Sequence, residues 1–191
     1  MANLGQKVSL GLEPRAGATV SEVLNDLDRN ALGRLMLPNL IVAMPIPVVV
    51  RLRVPAWNGE GEVLRVRLAW DDARVGERRV VHASLTLPSR PSSDWEALVP
   101  DAAVVEHVAI LMAARAKKEA IAAYDLGDIV QTKAYMAASH EIMASTQPSP
   151  EVLNELELIA KLQADLEAND GTTFRKRGLW QAYTRKHGKE S

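Results

Sequence analysis

Residues 81–112 decide the predicted fold, and they read VHASLTLPSRPSSDWEALVPDAAVVEHVAILM. At the start of this stretch the apolar residues alternate with polar ones, which is typical of a half-buried strand. After Asp101 they recur at intervals of three and four residues, as on one face of an amphipathic helix. The stretch between the two patterns is rich in Ser and Pro. The sequence therefore predicts an α+β protein with a strand domain at 1–90, a linker at 91–100 and a helical domain at 101–191.

The strand pattern occurs several times before the linker. It is clearest at 48–54, where Val48, Val50 and Leu52 point to one side, and it returns at 64–70 and 81–87. A turn is predicted at 57–61, and shorter strands are predicted at 8–12, 20–24 and 32–37. About six short strands with no helix between them favour antiparallel sheets packed face to face. We therefore expect an N-terminal antiparallel β-sandwich.

Four arginines occupy the outward positions of the predicted strands: Arg51, Arg53, Arg65 and Arg67. They allow two interpretations. They could form a basic stripe that meets an acidic partner. They could also be solvated charges that prevent strand edges from pairing with other chains.

Capping residues divide the second half into three helices. Asp101 is suited to cap the first helix and Gly127 to end it, Asp128 to cap the second, and Ser149 with Pro150 to begin the third. Short connections make consecutive helices antiparallel neighbours, so we expect an antiparallel three-helix bundle. The predicted core faces are Val104, Val105, Val108, Met112, Ala116 and Ile121; then Ile129, Val130, Ala134, Met136, Ala137 and Met143; then Val152, Leu156, Ile159, Leu162 and Leu166.

A basic tail with aromatic residues follows the predicted bundle. Its charged and aromatic members are Arg175, Lys176, Arg177, Trp180, Tyr183, Arg185, Lys186 and Lys189. Such a tail could contact single-stranded nucleic acid or an anionic membrane surface. Alternatively, Phe174, Leu179, Trp180 and Tyr183 fold back onto the domain and leave the charges in water, and this docked tail is the preferred interpretation.

The composition and motifs give no sign of catalysis. The chain of 191 residues has 23 Lys and Arg against 24 Asp and Glu, so no global charge attracts nucleic acid. It has no Cys, which excludes disulfides and thiolate metal sites. The four histidines lie in different predicted elements, and the acidic pairs at 71–72 and 155–157 are typical of a turn and of a solvated helix face. We predict no catalytic, cofactor-binding or metal-binding residue and no small-molecule substrate.

Targeting signals are also missing from the sequence. The longest apolar run, 40–50, is too short to span a bilayer and contains two prolines. The N-terminal residues lack the apolar region of a signal peptide, so a cytoplasmic location is expected. A strand pattern starts abruptly at Val8, which suggests that a further domain precedes this chain in the natural protein.

Several segments resemble a known protein family. They are Val8-Ser-Leu-Gly-Leu-Glu-Pro, Val23-Leu-Asn-Asp, Val48-Val-Val-Arg-Leu-Arg-Val-Pro, Val66-Arg-Leu-Ala-Trp-Asp-Asp, Gly76-Glu-Arg-Arg, Ala113-Ala-Arg-Ala-Lys-Lys-Glu-Ala, Gly127-Asp and the closing Arg175-Lys-Arg with Tyr183. Together they resemble the region that follows the metal-binding domain in bacterial von Willebrand factor type A proteins. In that family, a Rossmann-like domain binds magnesium through an Asp-x-Ser-x-Ser loop. No Asp-x-Ser-x-Ser occurs here, so the metal residues of the family cannot be assigned to any position of this chain.

The resemblance implies a C-terminal accessory region. We therefore predict a noncatalytic scaffold or interaction module of a von Willebrand factor type A-like protein, whose partner is another protein or the upstream domain of the same chain. The alternative is anionic-surface or nucleic-acid binding through the tail. The predicted interaction surface comprises Arg51, Arg53, Arg65, Arg67, Arg175, Lys176, Arg177, Trp180, Tyr183, Arg185 and Lys186.

Overall fold

A computed structural model describes residues 3–56 and 59–186, without the side chains of Ser92, Arg185 and Lys186. Part of the predicted turn at 57–61 and Lys189 of the predicted tail lie outside the described residues. The chain divides into two compact units, which we call the strand unit, up to Val99, and the helical unit, from Pro100 to Arg185.

The strand unit is built from two antiparallel sheets of unequal size. Its strands are β1 (Asn3–Pro14), β2 (Thr19–Val23), β3 (Leu35–Met36), β4 (Leu40–Ile41), β5 (Val50–Arg53), β6 (Glu60–Asp72) and β7 (Arg78–Pro88). The larger sheet has the order β3-β1-β6-β7, and β4 also pairs with β1. Strands β2 and β5 form a separate two-stranded sheet. The long pair of β6 and β7 is in register from Asp71 opposite Arg78 to Glu60 opposite Pro88, with one shift between Glu62 and Leu64.

The apolar face of the larger sheet is buried along β1 and β3, at Val8, Leu10 and Leu35, and also at the end next to the smaller sheet. There, Val63 and Leu64 are buried with Ala18, and side chains of both sheets pack around them. These neighbours are Leu12, Val20, Leu52, Val54, Val66 and Leu87. On the neighbouring edge strand β7, Val81 and Leu85 are exposed, although Leu85 lies directly opposite buried Leu64. The two-stranded sheet therefore shields only part of the apolar surface of the larger sheet.

The predicted fold class, an antiparallel β-sandwich followed by a three-helix bundle with a basic tail, is wrong. In the described residues the larger sheet has five strands, the smaller one has two, and there are five helices. The alternating pattern predicted the strands but not how they divide between sheets, because alternation fixes which side of a strand is apolar and not what covers it. The predicted linker contains a short helix, α1 (Ser92–Glu96).

Four long helices make up the helical unit: α2 (Ala102–Asp125), α3 (Ile129–Ala144), α4 (Pro150–Glu167) and α5 (Gly171–Lys186). The predicted caps are confirmed. The Asp101 carboxylate accepts from the amides of Ala103 and Val104, and the Ser149 hydroxyl accepts from that of Val152. Each cap satisfies amides that the first turn of a helix leaves without intrahelical partners.

The predicted core face is confirmed for α4 and wrong for much of α2 and α3. Helix α4 buries Val152, Ile159, Leu162 and Leu166 as predicted. In α2 the exposed residues include Val104 and Val105, whereas the buried residues are Ala109, Ala113, Lys117, Ala120, Ile121 and Ala123. Small residues occupy this face because α3 approaches closely, as shown by the Ser139 hydroxyl, which donates to the carbonyl of Ala113 at 3.1 Å.

The predicted tail contains the fourth long helix. Phe174 of α5 is completely buried, and its ring lies 5.2 Å from that of Tyr124. A Cβ atom at Gly171 would collide with the Tyr124 hydroxyl, and one at Gly178 would lie 2.5 Å from the Ile121 side chain. Glycine at these two positions therefore allows α5 to pack closely against α2.

Candidate interaction surface

Helix α5 has one face in the core and another in solvent. Its buried positions, Phe174, Gly178, Gln181 and Thr184, recur at three- and four-residue intervals and so lie on one side of the helix. Leu179, Trp180 and Tyr183 lie on the other side and are each about half exposed, with values of 47%, 51% and 52%. We call these three residues, together with exposed Lys176, the α5 aromatic face.

The N-terminus of α5 is fixed by Asp170. Its carboxylate accepts from the hydroxyl and the amide of Thr173, at 2.7 and 3.0 Å. The hydrogen bond from the Thr173 hydroxyl is the main reason why the pKa of Asp170 is lowered from its ordinary value, and the Thr173 amide lowers it further. The cap and the buried Phe174 hold the helix at its first turn, so the aromatic face belongs to an ordered element.

The basic residues of the tail are divided between ion pairs and solvent. Arg175 pairs with Asp125 at 2.8 Å, and Arg177 pairs with Asp165 at 2.9 Å and donates to the carbonyl of Lys161. Arg185 and Lys186 lie in the last turn of α5, where only the backbone is described. The prediction that the apolar residues of the tail dock onto the domain is correct for Phe174, which is completely buried. It is wrong for Leu179, Trp180 and Tyr183, which are each about half exposed.

The four arginines predicted to face outward from the strands lie on two different sheets. Arg51 and Arg53 lie on β5 of the small sheet, whereas Arg65 and Arg67 lie on β6 of the large one. Arg51 pairs with Glu22 at 2.9 Å. Arg65 forms two hydrogen bonds with Glu62, which raise the pKa of its guanidinium. In two of the four cases, therefore, the positive charge is neutralised by a neighbouring carboxylate.

A buried ion pair lies in the core of the helical unit and was missed in the sequence. The ammonium group of Lys117 on α2 contacts the carboxylate of Glu155 on α4 at 2.5 Å and donates to the Gln181 amide oxygen on α5 at 3.0 Å. All three side chains are buried. Glu155 was interpreted as part of a solvated face, although its position in the series 152, 155, 159, 162 and 166 places it on the core side of α4.

The Lys117 cluster joins helices α2, α4 and α5. Its polar groups face one another inside a close-packed core, and burial of a charge requires such compensation. The described part of the helical unit has a small cavity elsewhere, of about 240 Å³, lined by Tyr124, Lys133 and Glu167 among others. This volume is below the roughly 300–1,000 Å³ of ordinary ligand pockets.

The described ranges contain neither a cluster of metal ligands nor a membrane-spanning helix. Within residues 3–56 and 59–186, there is no group of three or more His, Asp or Glu residues that could hold a metal ion. No helix in the same ranges is long and apolar enough to cross a bilayer.

Comparisons with known proteins show a fold related to von Willebrand factor type A proteins. The structure resembles a von Willebrand factor type A protein from Catenulispora acidiphila, with a TM-score of 0.55 and 17% identity over 84% of this chain and 39% of that one. It also resembles VWA2, the ArnB paralog from Sulfolobus acidocaldarius, with a TM-score of 0.59 and 15% identity over 99% of this chain and 44% of that one.

The similarity is structural and partial. This chain spans less than half the length of either solved structure. No protein-family model matches the sequence, and no curated protein matches it. At 15–17% identity the comparison supports the fold alone, and a fold does not determine a function.

Proposed function

We propose that this chain is a noncatalytic interaction module of a von Willebrand factor type A-like protein. Its role is to bind or position the metal-binding domain of that protein, which carries the Asp-x-Ser-x-Ser loop. The observation that carries the proposal is the α5 aromatic face, an exposed row of large side chains on a helix whose opposite side is fixed in the core.

The α5 aromatic face has the chemistry of a protein-binding surface. Trp and Tyr bury large areas with little loss of side-chain freedom, and they are enriched among the residues that dominate binding energy. Trp180 and Tyr183 are separated by three positions and so lie side by side on the helix. Because α5 is held by Phe174, a partner would meet a helix that is already ordered and would lose less entropy on binding.

The ion pairs of α5 weaken the alternative of nucleic-acid or anionic-surface binding. Binding to phosphates depends on positive charges that release counterions. Arg175 and Arg177 are already paired with Asp125 and Asp165 in the helical unit. Contact with phosphate would require these pairs to open, which favours a protein partner for this face.

Site-specific photocrosslinking tests the proposal directly. We would replace Trp180 by p-benzoylphenylalanine in the natural protein, irradiate the native cells and identify the adducts by mass spectrometry. The expected product is a discrete crosslink to a domain that contains an Asp-x-Ser-x-Ser loop, on the same chain or on another. A crosslink to nucleic acid or lipid instead would contradict the proposal.

Leu153 provides the matched control for this experiment. It is an exposed apolar residue of α4 and does not belong to the α5 aromatic face. The same photoreactive group at Leu153 should not give the adduct formed from Trp180. If both positions give the same products, or if neither gives a discrete one, the α5 aromatic face is not the binding surface and the proposal fails.

A further inference from the structure

The two edges of the large sheet differ in how they are protected. Strands β3 and β4, which pair with one side of β1, contain two residues each and are followed closely by prolines. At the opposite edge, β7 has eleven residues, and those from Arg78 to Thr86 are all exposed. Natural proteins usually interrupt a free edge with short strands, prolines or bulges, because an uninterrupted edge pairs with other strands. From Arg78 to Thr86 the β7 edge contains no proline, and the one irregularity in its pairing with β6 is the register shift between Glu62 and Leu64.

Two hydrogen bonds establish which backbone groups of β7 point away from the sheet. The amide of Asp72 donates to the carbonyl of Glu77 at 2.8 Å, and the amide of Ser89 donates to the carbonyl of Gly59 at 2.6 Å. The backbone amides and carbonyls of residues 77 and 89 therefore point toward β6. Those of the odd-numbered residues between them do so too, because the direction of the backbone groups alternates along a strand. The even-numbered residues, His82 and Ser84 at the centre, direct their amides and carbonyls outward.

The sequence of β7 is complementary to itself in one antiparallel register. If two copies of β7 pair with Ala83 opposite Ala83, each of the eleven residues lies opposite a residue of the second copy. Residues whose backbone amide and carbonyl point away from β6 then lie opposite residues with the same orientation. The resulting pairs are His82 with Ser84, Val81 with Leu85, Val80 with Thr86, Arg79 with Leu87 and Arg78 with Pro88. No arginine lies opposite an arginine, so the like-charge repulsion that destabilises cross-strand pairs is avoided.

The same register makes the apolar face of the larger sheet continuous across the interface between the two copies. Val81, Ala83 and Leu85 lie on the side of β7 that continues the partly covered face of β6. Val81 and Leu85 are 48% and 42% exposed in the single chain. In the paired arrangement Val81 of one copy would lie opposite Leu85 of the second copy. Branched apolar side chains in such positions stabilise cross-strand pairs.

We propose that β7 is a pairing edge for a second copy of this chain, which joins the two large sheets into one continuous antiparallel sheet across a two-fold axis at Ala83. Both copies use the same surface, as closed two-fold dimers do. Backbone hydrogen bonds along the edge supply affinity, as in other cases of strand addition. This dimer does not depend on the α5 aromatic face, which belongs to the other unit.

Sedimentation velocity of the full chain over a wide range of concentrations tests the dimer. The expected result is a dimer that dissociates on dilution, and Ser84→Pro should raise its dissociation constant at least about tenfold. The Ser84 amide points outward, so proline there removes an intermolecular hydrogen bond while the pairing with β6 remains. Circular dichroism would confirm that the variant is folded. A chain that stays monomeric at every concentration would overturn the proposal.

A pair of double variants tests the register. Val80→Glu with Thr86→Glu places like charges opposite each other across the two-fold axis and should abolish the dimer. Val80→Lys with Thr86→Glu places opposite charges there and should retain it, with increased sensitivity to salt. Val42→Lys, at an exposed position beside β4, is the control and should leave the dimer unchanged. If both double variants behave alike, or if only Val42→Lys dissociates the dimer, β7 is not the pairing edge.

Discussion

The two units of this chain use their apolar residues differently. The helical unit encloses a core that contains Phe174, Met136 and Ile159 and even the charges of Lys117 and Glu155. The strand unit buries residues of β1, β3 and β6 in its large sheet and leaves β7 exposed along most of its length. In the helical unit each long helix buries one side against its neighbours, whereas an open sheet ends in a strand with a neighbour on one side only. The comparison indicates that the core of the helical unit supplies stability, and that surfaces such as β7 are available for contacts with other chains.

The largest expected effect is in the helical core. Phe174→Ala should lower the free energy of unfolding by about 4 kcal/mol, because it removes a fully buried ring and leaves a cavity. Trp180→Ala on the same helix is the control and should change it by less than about 0.5 kcal/mol. Urea denaturation followed by circular dichroism at a helix-sensitive wavelength would measure both values. Equal losses for the two variants would contradict the described orientation of α5.

The buried ion pair gives the next largest effect. Lys117→Met should destabilise the helical unit by about 3 kcal/mol, because it removes the buried ammonium group that contacts the buried Glu155 carboxylate. The double variant Lys117→Met with Glu155→Leu should recover most of this loss, since it removes both charges and keeps the core filled. Denaturation of the two single variants and the double variant forms a mutant cycle. Additive effects would show that the two side chains do not interact.

A pair of facing leucines tests how far the sheet is covered. Leu64 on β6 and Leu85 on β7 lie directly opposite each other, but Leu64 is 6% exposed and Leu85 is 42% exposed. Leu64→Ala should therefore cost about 2 kcal/mol and Leu85→Ala less than about 1 kcal/mol, measured at low protein concentration. If Leu85→Ala costs as much as Leu64→Ala in the monomer, β7 is better covered than the structure indicates.

The sequence predicted local structure better than packing. Alternation located most of the strands, and Asp101, Asp128 and Ser149 located three helix starts, because caps and periodicity act between residues that are close in sequence. The fold class was wrong because neither signal shows how strands divide between sheets. In α5, the periodicity of Phe174, Gly178 and Gln181 was available, but the basic residues dominated the interpretation of that segment as a tail.

The sequence predicted the two aromatic side chains of the α5 aromatic face as interaction residues, but not the edge of β7. Trp180 and Tyr183 were named because aromatic residues among basic ones suggest binding, and the structure places them together on one helix face. The free edge of β7 could not be recognised, because its apolar pattern is the same as that of a covered strand. Lys117 and Glu155 were not recognised as a pair, since 38 residues separate them in the sequence.

What the sequence determined by itself is local: where three of the helices begin and where most of the strands alternate. Only the tertiary structure decided which side chains are left uncovered, because exposure depends on the elements that pack from distant parts of the chain. Glycines at 171 and 178 let α5 pack against α2 and turn Trp180 outward, and the order of strands puts β7 at an edge. The physical reason is that patterning selects an apolar side, whereas burial of that side requires a partner surface of matching extent.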